Sequence, residues 1–190
     1  MNDSRCGWCI DNELMRDYHD TEWGVPLHDD RKLFEFLILE AAQSGLSWQL
    51  ILNRREGYRA AYEGFNPDRV AGYGEADAKR LLVDRGIIRN RAKIAASITN
   101  VQSFLEVQEQ FGSFASYMWG FVDGAPIQNA WRAMDQIPAE TPLSRKIAKD
   151  LKARAFRFIG PIVVYSHMQA TGMVNDHLVD CFRYPELSGA

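Results

Sequence analysis

Apolar positions recur three and four residues apart along most of the 190-residue chain, the spacing of helices that bury one face. The clearest run opens at Asp29-Asp30, a cap and a first-turn acid, and carries Leu33, Phe36, Leu37, Glu40 and Ser44 along one face. Gly45 breaks it. Ser47 is placed to cap a second helix through Trp48, Ile51, Leu52 and Tyr58, and Asn66-Pro67-Asp68 reads as a turn whose Pro starts a short helix. Helices are predicted over 75–84 and 89–110, joined by Arg85-Gly86-Ile87-Ile88. Others follow over about 113–121, 143–156 and 160–172, with a Pro-bearing loop at 123–142. No segment alternates long enough to argue a strand, so the pattern predicts an all-α fold that ends in a His177–Cys181 turn.

Composition narrows the class. At 46% apolar content, residues 1–190 suffice for one domain, built either as a single body or as two lobes sharing a core. Three cysteines without a secretory signal fit a reducing compartment, and no stretch approaches the roughly 20 apolar residues of a membrane span. A cytoplasmic protein with no membrane partner is expected. The net charge of −3 hides an asymmetry: residues 1–40 hold ten acidic side chains against four basic ones. Residues 79–93 and 145–157 each hold six Lys/Arg against a single Asp, and local patches of this kind, more than net charge, make a phosphate footprint. Each is equally what a solvated helix face looks like.

Three features carry chemistry. Cys6 and His19 near the start, with His177 and Cys181 four apart near the end, supply four nitrogen and sulfur ligands, the set that closes a tetrahedral zinc site. Spacing alone makes this a plausible metal site and no more, because Cys6-Gly7-Trp8-Cys9 is itself a C-x-x-C and leaves Cys9 open as ligand or redox partner. Glu40 falls on the apolar face of its helix, seven residues after Leu33, where a carboxylate is costly unless paired. It is either held by an Arg or backbone amides, or it lines a pocket for a cationic or N–H-rich ligand, with Trp8, Tyr18, Trp23 and Trp48 nearby in sequence. Glu35, beside Arg31 and Lys32, is expected to face water. Residues 81–94 read helix, Gly-containing turn, helix, and resemble a helix-hairpin-helix. In such a hairpin the turn amides and the next helix's N-terminus grip a DNA phosphate, here with Gly86, Arg89, Arg91 and Lys93 close by.

These pieces occur together in one family. Arg5-Cys6-Gly7-Trp8, Tyr18-His19-Asp20-Thr21-Glu22-Trp23-Gly24-Val25-Pro26, Leu39-Glu40, Ser44-Gly45-Leu46-Ser47-Trp48, Gly86-Ile87-Ile88-Arg89 and Val174-Asn175-Asp176-His177 resemble, in order, the 3-methyladenine DNA glycosylase I family. The resemblance spans nearly the whole chain. It implies a helix-hairpin-helix glycosylase fold with the hairpin at about 81–94. One structural zinc would join segments at about 1–24 and 174–184 through Cys6, His19, His177 and Cys181, leaving Cys9 outside. It further implies Glu40 as the base-contacting carboxylate, with Trp8, Tyr18, Trp23 and Trp48 as pocket aromatics. Met15 departs from the pattern, standing where the family can carry Tyr.

The implied activity is hydrolysis of the N-glycosidic bond of 3-methyladenine in double-stranded alkylated DNA by a monomer, with the free base as product ligand. Leu46, at a helix break, is the candidate wedge that fills the gap left by the flipped nucleotide; an apolar residue there is as easily core. Residues 95–122 contain Glu106 and Glu109 but no Asp to activate water. The alternatives are a DNA-binding helix-hairpin-helix module without catalysis and a glycosylase with a shifted lesion preference.

Overall fold

The computed structural model describes residues 4–189, so the first three residues of the expected N-terminal zinc segment lie outside the described residues. The chain is mostly helical. The helices are α1 (Glu13–Thr21), α2 (Asp30–Gln43), α3 (Trp48–Leu52), α4 (Arg55–Ala61), α5 (Pro67–Ala71) and α6 (Glu75–Val83). They continue with α7 (Arg91–Phe111), α8 (Phe114–Trp119), α9 (Pro142–Ala153), α10 (Pro161–Ala170) and α11 (Arg183–Leu187). Strands β1 (Ile127–Gln128) and β2 (Val174–Asn175) pair in parallel with Ile127 opposite Val174. Two residues are too few to alternate, which is why an all-helical pattern concealed them.

α2 is the central element. Asp29 caps it through the Lys32 amide at 2.9 Å, and every residue from Leu33 to Ala42 is buried. A helix apolar on all sides belongs inside. The main core gathers α2 with α7, α8, α9 and α10, from Leu33 and Phe34 through Phe104 and Phe114 to Tyr165 and Met168. A second, smaller cluster joins Cys6, Tyr18, Trp23 and Cys181 of the two terminal segments to Phe36, Leu52 and Ala170.

Several local expectations change. α1 was not foreseen, because its residues are mostly polar; Asn12 starts it by accepting from the Met15 amide at 3.0 Å. The helix expected from Ser47 to Tyr58 breaks at Asn53-Arg54 into α3 and α4. His177 and Cys181, by contrast, lie on the turn expected of them, with the Cys181 amide donating to Leu178 O at 2.8 Å. Glu35 is buried, not solvated: Arg55 Nε and Arg59 Nη2 donate to it at 2.6 and 2.9 Å, and Arg55 also bridges Glu22. Its partners come from α4, which spacing along α2 cannot show.

The α6–α7 hairpin is seated by α4. Asp84 ends α6 and accepts from the Gly86 amide at 2.7 Å; Asn90 caps α7 through the Ala92 and Lys93 amides. Arg54 Nη1 donates to Arg85 O at 2.6 Å, and the Ile88 amide donates to Tyr58 Oη at 3.2 Å. Gly57 lies directly against Gly86, backbone on backbone, and a Cβ at Gly57 would collide with the Gly86 carbonyl oxygen. Gly57→Ala is therefore expected to destabilise by about 1–3 kcal/mol, although Ala gains about 1 kcal/mol in helix propensity. Urea unfolding checks this, and unchanged or raised stability would contradict the contact. Among the described residues no helix is long and apolar enough to cross a membrane.

Candidate active site

A cavity of about 290 Å³ opens beside the C-terminal half of α2, near the lower end of small-ligand pockets. Of the five residues expected to form a pocket, all line it: Glu40 from α2, Tyr18 from α1, Trp8 and Trp23 from either side of α1, and Trp48 from the start of α3. The rings touch in sequence. Trp8 meets Trp23 edge-on at 5.2 Å and Tyr18 at 6.3 Å; Tyr18 meets Trp48 at 5.5 Å. Met15 joins this wall.

Among the described residues Glu40 is the only acidic one lining the cavity, and its Oε2 is buried without a hydrogen-bond partner. With no cation beside it, burial alone pushes the Glu40 carboxyl up to about 8. The Tyr18 phenol is held well above its ordinary value by burial and by the nearby Glu40 charge. Trp48 Nε1, on another lining residue, is a second buried polar atom without a partner, this one a donor. Unpaired buried polar atoms are costly, and a ligand with matching donors and acceptors would satisfy them.

The far side of the cavity was not anticipated. Gln43 at the end of α2, Met134 and Ile137 of the loop before α9, and Ser166 and Gln169 of α10 complete the lining. The loop residues carry no periodic signal, and the α10 pair is three residues apart on a helix whose other faces are core.

Behind the aromatic wall the four predicted ligands converge, all buried, with their ligand atoms within 4.8 Å of one another. His19 Nε2 to His177 Nδ1 is 3.2 Å, Cys181 Sγ lies 3.4 and 3.5 Å from those nitrogens, and Cys6 Sγ is 3.8 Å from His177 Nδ1. A tetrahedron with metal–ligand bonds of about 2.0–2.3 Å has edges of about 3.3–3.8 Å. The tautomers agree. His19 Nδ1 faces the Asp20 carboxylate at 2.7 Å and His177 Nε2 faces Trp23 O at 3.1 Å; both partners only accept, so those nitrogens carry the protons. Two bare lone pairs are thus left facing each other, an arrangement that a cation between them stabilises. Cys9 stays outside, donating its thiol to Cys6 O at 3.1 Å. This buried Cys6/His19/His177/Cys181 group could bind a metal. His177 packs on Trp23 at 4.6 Å and His19 on Trp8 at 5.4 Å, so the ligand rings directly back the pocket wall.

Between α2 and α3, whose Gln43 and Trp48 line the cavity, Gly45 adopts a left-handed φ of +79° and Leu46 is 38% exposed. Lys93, on the first turn of α7, does not face outward with the basic patch. Its Nζ donates to Ala42 O and Ser44 O at 2.8 and 2.6 Å, tying the hairpin to the end of α2 and the Leu46 loop. Arg89 and Arg91 are exposed, and Arg89 shares a depression with Arg54, Arg85 and Gly86's neighbour Ile87. In the second basic run, Arg145 pairs with Glu140 and Arg154 with Asp150, so there the solvated-face reading prevails for those two. Glu106 and Glu109 are exposed on α7 and not part of the cavity lining.

A mostly helical protein with an aromatic, single-carboxylate cavity beside a basic hairpin has the parts of a base-binding nucleic-acid enzyme. The family model for methyladenine glycosylase matches residues 8–184, and the chain belongs to that family. It is 45% identical over 181 residues to the DNA-3-methyladenine glycosylase 1 of Escherichia coli (strain K12), covering 95% of this chain and 97% of the relative. Its fold is similar to a crystal structure of 3-methyladenine DNA glycosylase I, with TM-score 0.93, 48% identity and coverage of 96% and 100%. It is also similar to the Staphylococcus aureus 3-methyladenine DNA glycosylase I whose structural basis of 3-methyladenine recognition has been described (TM-score 0.92, 33% identity, coverage 95% and 96%).

Proposed function

We propose that the protein is a monofunctional DNA glycosylase that flips 3-methyladenine out of alkylated duplex DNA and hydrolyses its N-glycosidic bond. The observation that carries this reading is a buried, partnerless carboxylate, Glu40, in a cavity walled by Trp8, Tyr18, Trp23 and Trp48. Methylation at N3 makes the base cationic while it is bonded to the sugar. When the bond to N9 breaks, its electron pair neutralises the base, so the leaving group needs no general acid, and water captures the sugar cation. What the protein supplies is access and discrimination. Flipping costs a few kcal/mol, less at a damaged base; a cation over Trp gains roughly 0.5–2 kcal/mol. Glu40 adds acceptors for the amino edge of adenine. Among the described residues it is the only acidic side chain of the cavity lining, which supports direct help to the charged base over activation of water by a dedicated base.

The cluster of Cys6, His19, His177 and Cys181 is read as one structural zinc site, since two sulfurs and two nitrogens leave no open position. Leu46 is assigned as the wedge, and Gly86, Arg89 and Arg91 as backbone contacts, supported by exposure and by the Lys93 tie between hairpin and wedge loop. Residues 1–190 are treated as one glycosylase domain acting as a cytoplasmic monomer. Double charge reversal, Arg89→Glu with Arg91→Glu, is expected to weaken DNA binding and lower the slope of log K against log salt by about 2. An unchanged slope would remove both residues from the interface.

The decisive experiment is chromatography of bases released from methylated DNA. Release of 3-methyladenine supports the reading. No release with DNA binding intact would leave a non-catalytic module, and preferential release of another base would mark a shifted lesion preference.

A further inference from the structure

Asp176, buried beside the metal-cluster residue His177, is the centre of a polar network that reaches the cavity. Its Oδ1 accepts from Asn129 Nδ2 at 2.7 Å and from Trp131 Nε1 at 2.8 Å; its Oδ2 accepts from Tyr165 Oη at 2.6 Å and from Gln169 Nε2 at 2.7 Å. Four donors satisfy the carboxylate without any cationic partner. The consequence for Gln169 is orientation. A carboxylate only accepts, so the amide must turn its NH₂ toward Asp176, and its carbonyl oxygen is left as the free end. Gln169 lines the cavity that also holds Glu40.

We infer that Gln169 is a second base-reading acceptor, its carbonyl locked toward the pocket by Asp176, and that it selects bases carrying an amino group at C6. This rests on the glycosylase reading of the same cavity. Once N9 is bonded to the sugar and N3 to methyl, the only N–H donors left on 3-methyladenine are the two hydrogens of the 6-amino group. Guanine and hypoxanthine present a carbonyl oxygen at that position instead. A site with one acceptor reads one amino hydrogen; with Glu40 and Gln169 both offering acceptors, each hydrogen has its own. A 6-carbonyl base offers at most its N1–H to one of the two acceptors and sets its oxygen against the other, so at least one acceptor is left unpaired and repelled. The lock matters because a free glutamine amide would turn and accommodate either base.

The test uses Gln169→Met, which keeps length and removes the acceptor, with free 3-methyladenine and 3-methylhypoxanthine as probes followed by quenching of the pocket tryptophans. Wild type is expected to bind 3-methyladenine and discriminate strongly against the 6-carbonyl analogue. The variant should lose about tenfold in affinity for 3-methyladenine and narrow the ratio between the two bases by about tenfold or more. Asp176→Asn tests the lock separately: its amide can donate to Gln169, so the amide turns and the ratio narrows while Gln169 is still present. Zinc content and melting temperature are measured on each variant, so that a collapsed fold is recognised and the ratio is read only from folded protein. If wild type neither binds nor releases 3-methyladenine, the glycosylase reading fails. If wild type does both and folded Gln169→Met keeps the wild-type ratio, the inference about Gln169 fails alone.

Discussion

Replacing Glu40 with Gln is expected to lower the affinity for free 3-methyladenine by about 10–100-fold, because a charge-assisted acceptor becomes a neutral one at a buried position. Release of the base from methylated DNA should fall at least as far, since the cationic bound nucleotide loses a facing charge as well as a hydrogen bond. The pH dependence identifies the cause. Burial pushes the Glu40 carboxyl up to about 8, so at neutral pH the ligand-free protein holds it mostly protonated. Binding through the ionised form must expel that proton. Wild-type affinity attributable to Glu40 is then expected to rise about tenfold per pH unit toward 8 and to level off above it. The Gln variant has nothing to titrate there, and the difference between the two profiles isolates Glu40 from the ligand's own ionisation. Calorimetry in buffers of different ionisation enthalpy would detect the released proton. Parallel profiles for wild type and variant would refute the assignment.

Stability should move in the opposite direction. The folded pKa lies above the ordinary carboxylate value of 4.5, so the folded chain holds a proton that the unfolded chain releases between about 4.5 and 8. Wild-type stability therefore declines as pH rises through that window and is flat above it. Relative to wild type, Glu40→Gln should gain nothing near pH 4 and on the order of 3–5 kcal/mol at pH 8 and above, less the cost of a buried amide. A site residue that weakens the fold while it serves binding is the signature of function.

How much of this could be read from the chain follows from what each signal depends on. α2 was legible because its cap, its apolar face and the misplaced Glu40 all lie within one helix and follow its 3.6-residue period. The Cys/His cluster was legible as a set of residue types but not as one site, because only the fold brings His177 and Cys181 to Cys6 and His19. Glu35 was misread because Arg55 and Arg59 reach it from another helix. Lys93 was counted with the DNA patch although it ties the end of α2 to α7, a contact 49 and 51 residues apart in sequence. The Met134, Ile137, Ser166 and Gln169 wall was invisible for the same reason. What one helix specifies can be read locally; what two distant segments make together cannot.

Loss of the zinc proposed for the Cys6/His19/His177/Cys181 cluster should show whether that cluster holds the pocket or takes part in the reaction. Cys181→Ser, or exhaustive chelation, removes an anchor that joins the first described residues to the last and backs Trp8 and Trp23 with the rings of His19 and His177. Structural zinc contributes roughly 10–16 kcal/mol of apparent binding free energy in small domains. Even a third of that would lower the melting temperature by about 8–15 °C for a chain of this size. The two roles then separate on binding. If the ion only positions the wall, free-base affinity and base release fall together, and tryptophan fluorescence reports the disordered wall. If the ion acted on the reacting atoms, release would vanish while affinity for free 3-methyladenine held. The geometry favours the first outcome, because both nitrogens and both sulfurs face one point behind the wall and none of the four residues lines the cavity. Full zinc occupancy in Cys181→Ser, or zinc loss with an unchanged pocket and melting temperature, would overturn the scaffold role.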